Sequence, residues 1–221
     1  MTKIAIIENS DGLGHFFTRF LDSADYQIFP VWKTSRLPKE RFKSYIFTGD
    51  LHNISDRLLP IHRKEIDFIK SIQDKKIFGS CFFHQLIGSI YGGRLEKREY
   101  RFFGWHKQTI TKKSEIVTGL QEPYFLNLNV DELSNKPKSA TIIATNPNCT
   151  YQILEYGKNI ITSQSHPEIW KQDAIGLIQK HRKDLSDQCP NLDQLMKHTI
   201  QFADDRLNEL FQSNLTKWLL S

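Results

Sequence analysis

Four short apolar stretches recur through the first 81 residues: KIAIIEN (3–9), YQIFPVW (26–32), SYIFTGD (44–50) and KKIFGSC (75–81). Polar or helix-spaced segments separate them. Strands delivered this way pair in parallel only through crossovers, which are right-handed and cover both faces of the sheet. The alternation therefore predicts an α/β fold, an open and mostly parallel sheet with helices on both faces. GHFFTRFLDS (14–23) sets Phe16, Phe17, Phe20 and Leu21 on one helical face. LPIHRKEIDFIKSIQ carries Ile61, Ile66, Phe68, Ile69 and Ile72 as an imperfect amphipathic helix. Pro30 lacks an N–H, so the second strand belongs at a sheet edge or ends there.

Beyond Gly93 the pattern turns to short β-like pieces, among them REYRFFGWHKQTITKK, SATIIATN, TYQILEYG and NIITSQS. The last two read as neighbours joined by a tight turn at Gly157. From Ile169 the spacing is helical again. QDAIGLIQKHRKDL reads as one helix and NLDQLMKHTIQFADDRLNELFQSNLTKWLL as a long final one, with Cys189-Pro190 between them. Residues 1–185 are expected to form one domain, and 186–221 a helical extension packed on it or on a partner.

Composition excludes several classes. Of 221 residues, 39% are hydrophobic and 25% charged, which suits a packed core. No apolar run approaches the roughly 20 residues that span a bilayer, and the N-terminus lacks the pattern of a signal peptide. A cytoplasmic location is the expectation. The net charge of +5 comes from basic residues scattered among acids, so nucleic-acid binding is not expected. Cys81, Cys149 and Cys189 are widely spaced and odd in number, against a disulfide framework. No CxxC or HExxH occurs, so no metal site is expected. Neither a P-loop nor a dinucleotide fingerprint is present, so no cofactor is expected either.

Two stretches carry chemistry. In FGSCFFHQ (78–85), Cys81 stands where a strand turns into a helix, facing the first free N–H groups of that helix. In SQSHPE (163–168), a strand-like run delivers His166 and Glu168 into a loop, and Pro167 keeps His166 extended. A histidine beside a cysteine takes its proton, and a carboxylate fixes the imidazole. In an open α/β sheet both loops leave the carboxyl ends of strands, where such sheets place their sites.

FGSCFFHQLIGSIYGG resembles the nucleophile motif G-x-C-x-G-x-Q of the class I glutamine amidotransferases, and SQSHPE resembles their Q-x-H-P-E motif. The resemblance covers about residues 1–180 and implies a flavodoxin-like sheet. It also implies a Cys81–His166–Glu168 triad, with Cys81 forming a γ-glutamyl thioester. It assigns oxyanion donors to the N–H groups of Phe82 and of Gly49 or Asp50, and the holding of glutamine to Gln85. An acceptor synthetase on another chain would use the ammonia. The final helix would serve its own domain, a synthetase subunit or a second copy. The chain departs from the family at Phe83, where glycine is usual, at Phe102, and at Asn127 and Asn129. These departures suggest a reshaped pocket. They keep open a γ-glutamyl hydrolase or transferase, or a silent interaction module with Phe83 blocking the pocket.

Overall fold

A computed structural model describes residues 3–22 and 25–221; Met1, Thr2, Ser23 and Ala24 lie outside the described residues. Along the chain run β1 (Ile4–Glu8), β2 (Tyr26–Pro30), α1 (Val31–Thr34), β3 (Ser44–Phe47), α2 (Pro60–Ser71), β4 (Lys76–Ser80) and α3 (Phe82–Ile90). Next come β5 (Arg94–Lys107), β6 (Thr109–Ile110), β7 (Tyr124–Asn135), β8 (Ala140–Asn146), β9 (Cys149–Tyr156) and β10 (Ile160–Ser163). Four helices follow: α4 (Lys171–Lys180), α5 (Arg182–Gln188), α6 (Leu192–Thr199) and α7 (Asp205–Leu220).

Eight strands form one sheet in the order β2-β1-β3-β4-β10-β9-β8-β6. β1 to β4 and β10 pair in parallel, while β10, β9, β8 and β6 continue antiparallel. β2 is an edge, as Pro30 requires. β9 and β10 are joined through Gly157, whose φ of 62° suits a residue without a Cβ. β5 and β7 form a separate antiparallel ribbon, whose Leu126 bridges to His166.

Alternation along the parallel strands sorts the core into two layers. Ile7, Tyr45, Phe47 and Ile77 pack in one cluster with Ile69 of α2 and with Phe83 and Ile87 of α3. Ile4, Ile6, Ile46 and Phe78 pack in another with Phe211, Leu215, Trp218 and Leu219 of α7. The period of two is the side-chain period of a strand.

Three helical expectations are revised. The helix expected over 14–23 is a 3-10 turn at Leu13–Phe17, with Ser23 outside the described residues. The Glu8 carboxylate accepts the Gly14 N–H at 3.0 Å and anchors that turn against β1. The helix expected over 172–185 breaks at His181, which leaves α4 and α5. The long final helix divides into α6, a 3-10 turn at Ile200–Phe202, and α7. At that last break Asp204 accepts the Arg206 N–H at 3.1 Å, an N-cap that starts a new helix.

α7 packs on the sheet. Phe211 is fully buried, edge-on to Phe78 (6.1 Å) and Phe125 (5.6 Å). Truncating it leaves a cavity between the sheet and the helix. Phe211→Ala should destabilise the protein by about 3–5 kcal/mol, measured by denaturant unfolding.

Candidate active site

The turn from β4 into α3 carries Cys81 with φ 50° and ψ −101°. A left-handed backbone at a residue with a side chain costs of order 1–3 kcal/mol and persists only where its surroundings impose it. Here they do. The Cys81 N–H donates to the Ser163 carbonyl at 2.7 Å, its carbonyl accepts the Gln85 N–H at 3.2 Å, and Phe82 and Phe83 beyond it are buried. Gly79, two residues before Cys81, has no room for a side chain: a Cβ there would lie 2.9 Å from Ile87 Cδ1 and 3.1 Å from Phe83 Cβ.

The bond to Ser163 brings the end of β10 alongside the cysteine. Next in the chain, Gln164 lies 3.7 Å from the Cys81 sulfur through Nε2, and its Oε1 accepts from Gln85 Nε2 at 3.1 Å. His166 is anchored by its N–H on the Leu126 carbonyl (2.7 Å). Its Nδ1 pairs with Glu168 Oε1 at 2.8 Å, and its ring lines the same cavity as Cys81. Ser80 donates to the same Glu168 oxygen at 2.6 Å. From the C-terminal side, Gln212 of α7 donates to the Glu168 carbonyl (2.8 Å), and Asn208 to those of Pro167 (2.8 Å) and Ile169 (3.2 Å).

Burial by itself lowers the His166 pKa. Negative charge at Cys81 and Glu168, with their hydrogen bonds, outweighs it and raises the value from 6.5 to about 10. The folded value lies above the unfolded one. This contribution to stability is therefore complete below about pH 6.5 and is lost as pH rises through about 10.

Gly49 closes the other side. A Cβ on it would lie 3.4 Å from His166 Cε1 and 3.6 Å from Cys81 Cβ. Asp50 accepts from Ser10 Oγ at 3.2 Å, and its side chain pairs with His62 (2.9 Å) and His52 (3.2 Å). Burial raises the Asp50 pKa, but the His62 and His52 bonds prevail and hold it below its usual value. Glu65, one turn further along α2, is fully buried, and neither carboxylate oxygen has a partner among the described residues. Burial first and the Asp50 charge second raise it from 4.5 to about 9.

A cavity of about 380 Å³ opens from this cluster. Cys81, His166 and Gly49 line it on one side, and Leu177, Leu185 and Gln188 of α4 and α5 on the other. Arg101 also lines it, its guanidinium donating to the Leu128 carbonyl and to Gln188 Oε1.

The chain thus brings Cys81, His166, Glu168, Gly49 and Asp50 together, with Phe82 as the first residue of α3. Gln85 is buried, and its amide nitrogen donates to the Asp131 carbonyl (2.6 Å) as well as to Gln164. Phe83 does not block the cavity. It is fully buried and stacks on Phe47 at 4.9 Å, within the core. Phe102 does not line it either, but stacks on His106 at 4.1 Å. Asn127 and Asn129 are buried in a polar network with Gln152. His84 points into the interior, its Nδ1 2.8 Å from Thr162 Oγ1, and burial lowers its pKa to about 3. Ser80, Gln164, Arg101 and His62 are additions that the sequence did not single out. Only Ser80 and Gln164 had a signal, their places in FGSCFFHQ and SQSHPE.

Cys81, Cys149 and Cys189 are all free. Among the described residues no group of His, Cys, Asp and Glu is arranged to hold a metal ion, and no helix is long and apolar enough to cross a membrane.

A buried cysteine on a strained strand–helix turn, beside a His–carboxylate pair at the carboxyl end of a parallel sheet, places the chain among the open-sheet α/β proteins that carry their sites at that edge. The family model for glutamine amidotransferase class-I matches residues 5–175, and the chain belongs to that family. It is 32% identical over 146 residues to a GMP synthase [glutamine-hydrolyzing] of Finegoldia magna, which covers 65% of this chain and 28% of that protein. It is 25% identical to gamma-glutamyl peptidase 2 of Arabidopsis thaliana, over 81% of this chain and 68% of that one. The chain thus spans little more than a quarter of the GMP synthase it matches. The solved structure of a glutamine amidotransferase from Thermotoga maritima superposes with a TM-score of 0.83 at 16% identity, covering 100% of this chain and 99% of that one.

Two measurements test the electrostatics. The His166 imidazolium should titrate near pH 10 by NMR, and in Cys81→Ala its pKa should fall by at least about one unit because a charged partner is lost. Glu65→Gln removes a carboxyl whose raised pKa costs stability as pH climbs from 4.5 towards 9. It should stabilise the protein by on the order of 2 kcal/mol at pH 8 and by little at pH 4.

Proposed function

We propose that the chain hydrolyses the γ-carboxamide of glutamine through a Cys81 thioester and releases ammonia to an acceptor enzyme on another chain. The observation that carries the reading is the strained Cys81 turn packed against His166–Glu168, with Gly49 beside both. Cys81 Sγ attacks the carbonyl carbon of the side-chain carboxamide, and the N–H groups of Phe82 and of Gly49 or Asp50 receive the developing oxyanion. Such donors act most strongly on charge that appears only in the transition state. As the tetrahedral species collapses, the C–N bond breaks and the nitrogen takes a proton from the His166 imidazolium. A γ-glutamyl thioester and ammonia result.

Acylation removes the negative charge at sulfur that holds His166 protonated, so the imidazole becomes a base. It takes a proton from water as the hydroxyl oxygen attacks the thioester. Glutamate leaves, the sulfur departs as thiolate, and His166 is again an imidazolium. Glu168 holds the ring through Nδ1 in both halves, and Ser80 holds Glu168. The matched glutamine-hydrolyzing relative supports glutamine as donor.

A second reading has its own observation, the cavity. Its 380 Å³ falls within the roughly 300–1,000 Å³ that enclose drug-sized ligands, and α4 and α5 wall the side beyond Cys81. That space suits a γ-glutamyl donor whose leaving group is larger than ammonia, and the peptidase relative supports such a donor. The same thioester would form.

Purified protein should release glutamate from glutamine, and Cys81→Ala should abolish it. Glu168→Gln should lower kcat about 10²–10⁴-fold, the range set by loss of a group that orients a catalytic histidine. A panel of γ-glutamyl amides assayed beside glutamine decides the donor. Cleavage of amides with little turnover of glutamine favours the second reading. No turnover of any γ-glutamyl compound, with no labelling of Cys81 by a glutamine-analogue electrophile, would sink both.

A further inference from the structure

The oxyanion pocket assigned above has two walls from distant parts of the chain, and one side chain outside both touches each. His62 is only 1% exposed, in the first turn of α2, which opens at Pro60 with Leu59 as its N-cap. Its Nδ1 accepts the Leu59 N–H at 3.3 Å. That bond leaves Nδ1 without a proton and puts the hydrogen of the neutral ring on Nε2, which donates to Asp50 Oδ2 at 2.9 Å. The other Asp50 oxygen accepts from Ser10 Oγ (3.2 Å) and from the His52 N–H (3.1 Å). The same imidazole packs on the Phe82 ring at a tilt of 45°, with centroids 4.6 Å apart. Phe82 follows the nucleophile, and Asp50 follows Gly49.

We propose that His62 is a positioning residue for the oxyanion pocket, fixing the Gly49–Asp50 peptide through the Asp50 carboxylate and the Phe82 peptide through ring packing. The inference rests on the thioester reading for its catalytic meaning, but its structural part stands on the contacts alone. A pocket of two N–H donors works only if their spacing is held, since a displacement of an ångström at such a site costs on the order of a hundredfold. The two donors reach the site from different strands, Gly49 after β3 and Phe82 after β4. β3 and β4 pair directly, yet both donors lie beyond the last paired residues. His62 spans the gap where the sheet no longer does. A rigid aromatic donor suits that place, because its ring is held by α2 and brings no flexible stem. The neutral Glu65 carboxyl lies one turn further along the same helix, so Asp50 is the charged partner of His62.

The test uses the full chain with His62→Leu, His62→Gln, Asp50→Asn and the double variant His62→Leu/Asp50→Asn. Hydrolysis of the best γ-glutamyl donor is read beside alkylation of Cys81 by iodoacetamide, an SN2 reaction that forms no oxyanion. His62→Leu should lower kcat about a hundredfold with KM within about threefold, and leave the alkylation rate within about twofold. His62→Gln, which can still donate to Asp50, should recover at least about tenfold. The double variant should be no worse than the poorer single one, because the two residues act as a unit. A His62→Leu kcat within threefold of the parent overturns the proposal. So does a parallel loss of alkylation, or effects that multiply in the double variant. If His62→Leu fails to fold, Asp50→Asn and His62→Gln decide by the same split between kcat and alkylation.

Amide hydrogen exchange separates this proposal from the functional reading. In His62→Leu, or in Asp50→Asn if that variant does not fold, exchange over residues 49–52 should rise at least about tenfold while β4 and α3 keep their protection. That outcome supports the positioning role even if the parent protein turns over no γ-glutamyl compound. Unchanged exchange overturns it even if the parent is a competent hydrolase.

Discussion

The Cys81 N–H bond to the Ser163 carbonyl is the contact on which the site depends. It is one more rung after the β4–β10 pairing, placed where β4 has already turned towards α3. The strained φ at Cys81 survives because this bond, Gly79 and the buried Phe82 and Phe83 leave the residue no relaxed alternative. One consequence is geometric. β4 and β10 are neighbours in the sheet but 80 residues apart in sequence, so their pairing sets cysteine and histidine side by side without a long flexible loop.

The second organising feature is electrostatic. Buried charge in this molecule is either paired or suppressed. His166 is held protonated beside Cys81 and Glu168, and Asp50 is held ionised by hydrogen bonds from His62 and His52. Glu65 and His84, which have no counter-charge, are driven to their neutral forms. Burial costs a charge far more than it costs a neutral polar group, so the fold keeps charge only where a partner balances it. His166 and Asp50 line the cavity, whereas Glu65 and His84 do not. The field at the sulfur is thus set by a few fixed neighbours.

Much of this was legible in the sequence. The isoleucine-rich runs gave the parallel strands, Pro30 the edge, Gly157 the β9–β10 turn, and the two motifs gave Cys81, His166 and Glu168. What escaped follows from physics that one-dimensional pattern does not carry. Ser80 and Gln164 matter through contacts 83 to 88 residues apart in sequence. Arg101 sits in a β-like piece with no motif around it, yet it lines the cavity. Phe83 looked like an obstruction because it stands where the family has glycine. The first turn of α3 aims it at Phe47 and away from the sulfur. The helix breaks at His181 and Ala203 were hidden because helical periodicity continues across them, while an aspartate N-cap decides where α7 begins.

α7 buries the sheet face that carries Phe78, and Asn208 and Gln212 hold the carbonyls on either side of and at Glu168. During synthesis every element it supports leaves the ribosome before it does. A nascent chain that has already paired β4 with β10 still lacks the clamps on its carboxylate loop and the cover over Phe78. Domains made from the N-terminus onward expose such unfinished surfaces while translation continues. The order of synthesis thus acts as a timer: the Cys81–His166–Glu168 cluster gains its last supports only when α7 folds, and a product truncated before α7 would carry the cysteine without the clamps on the Glu168 loop.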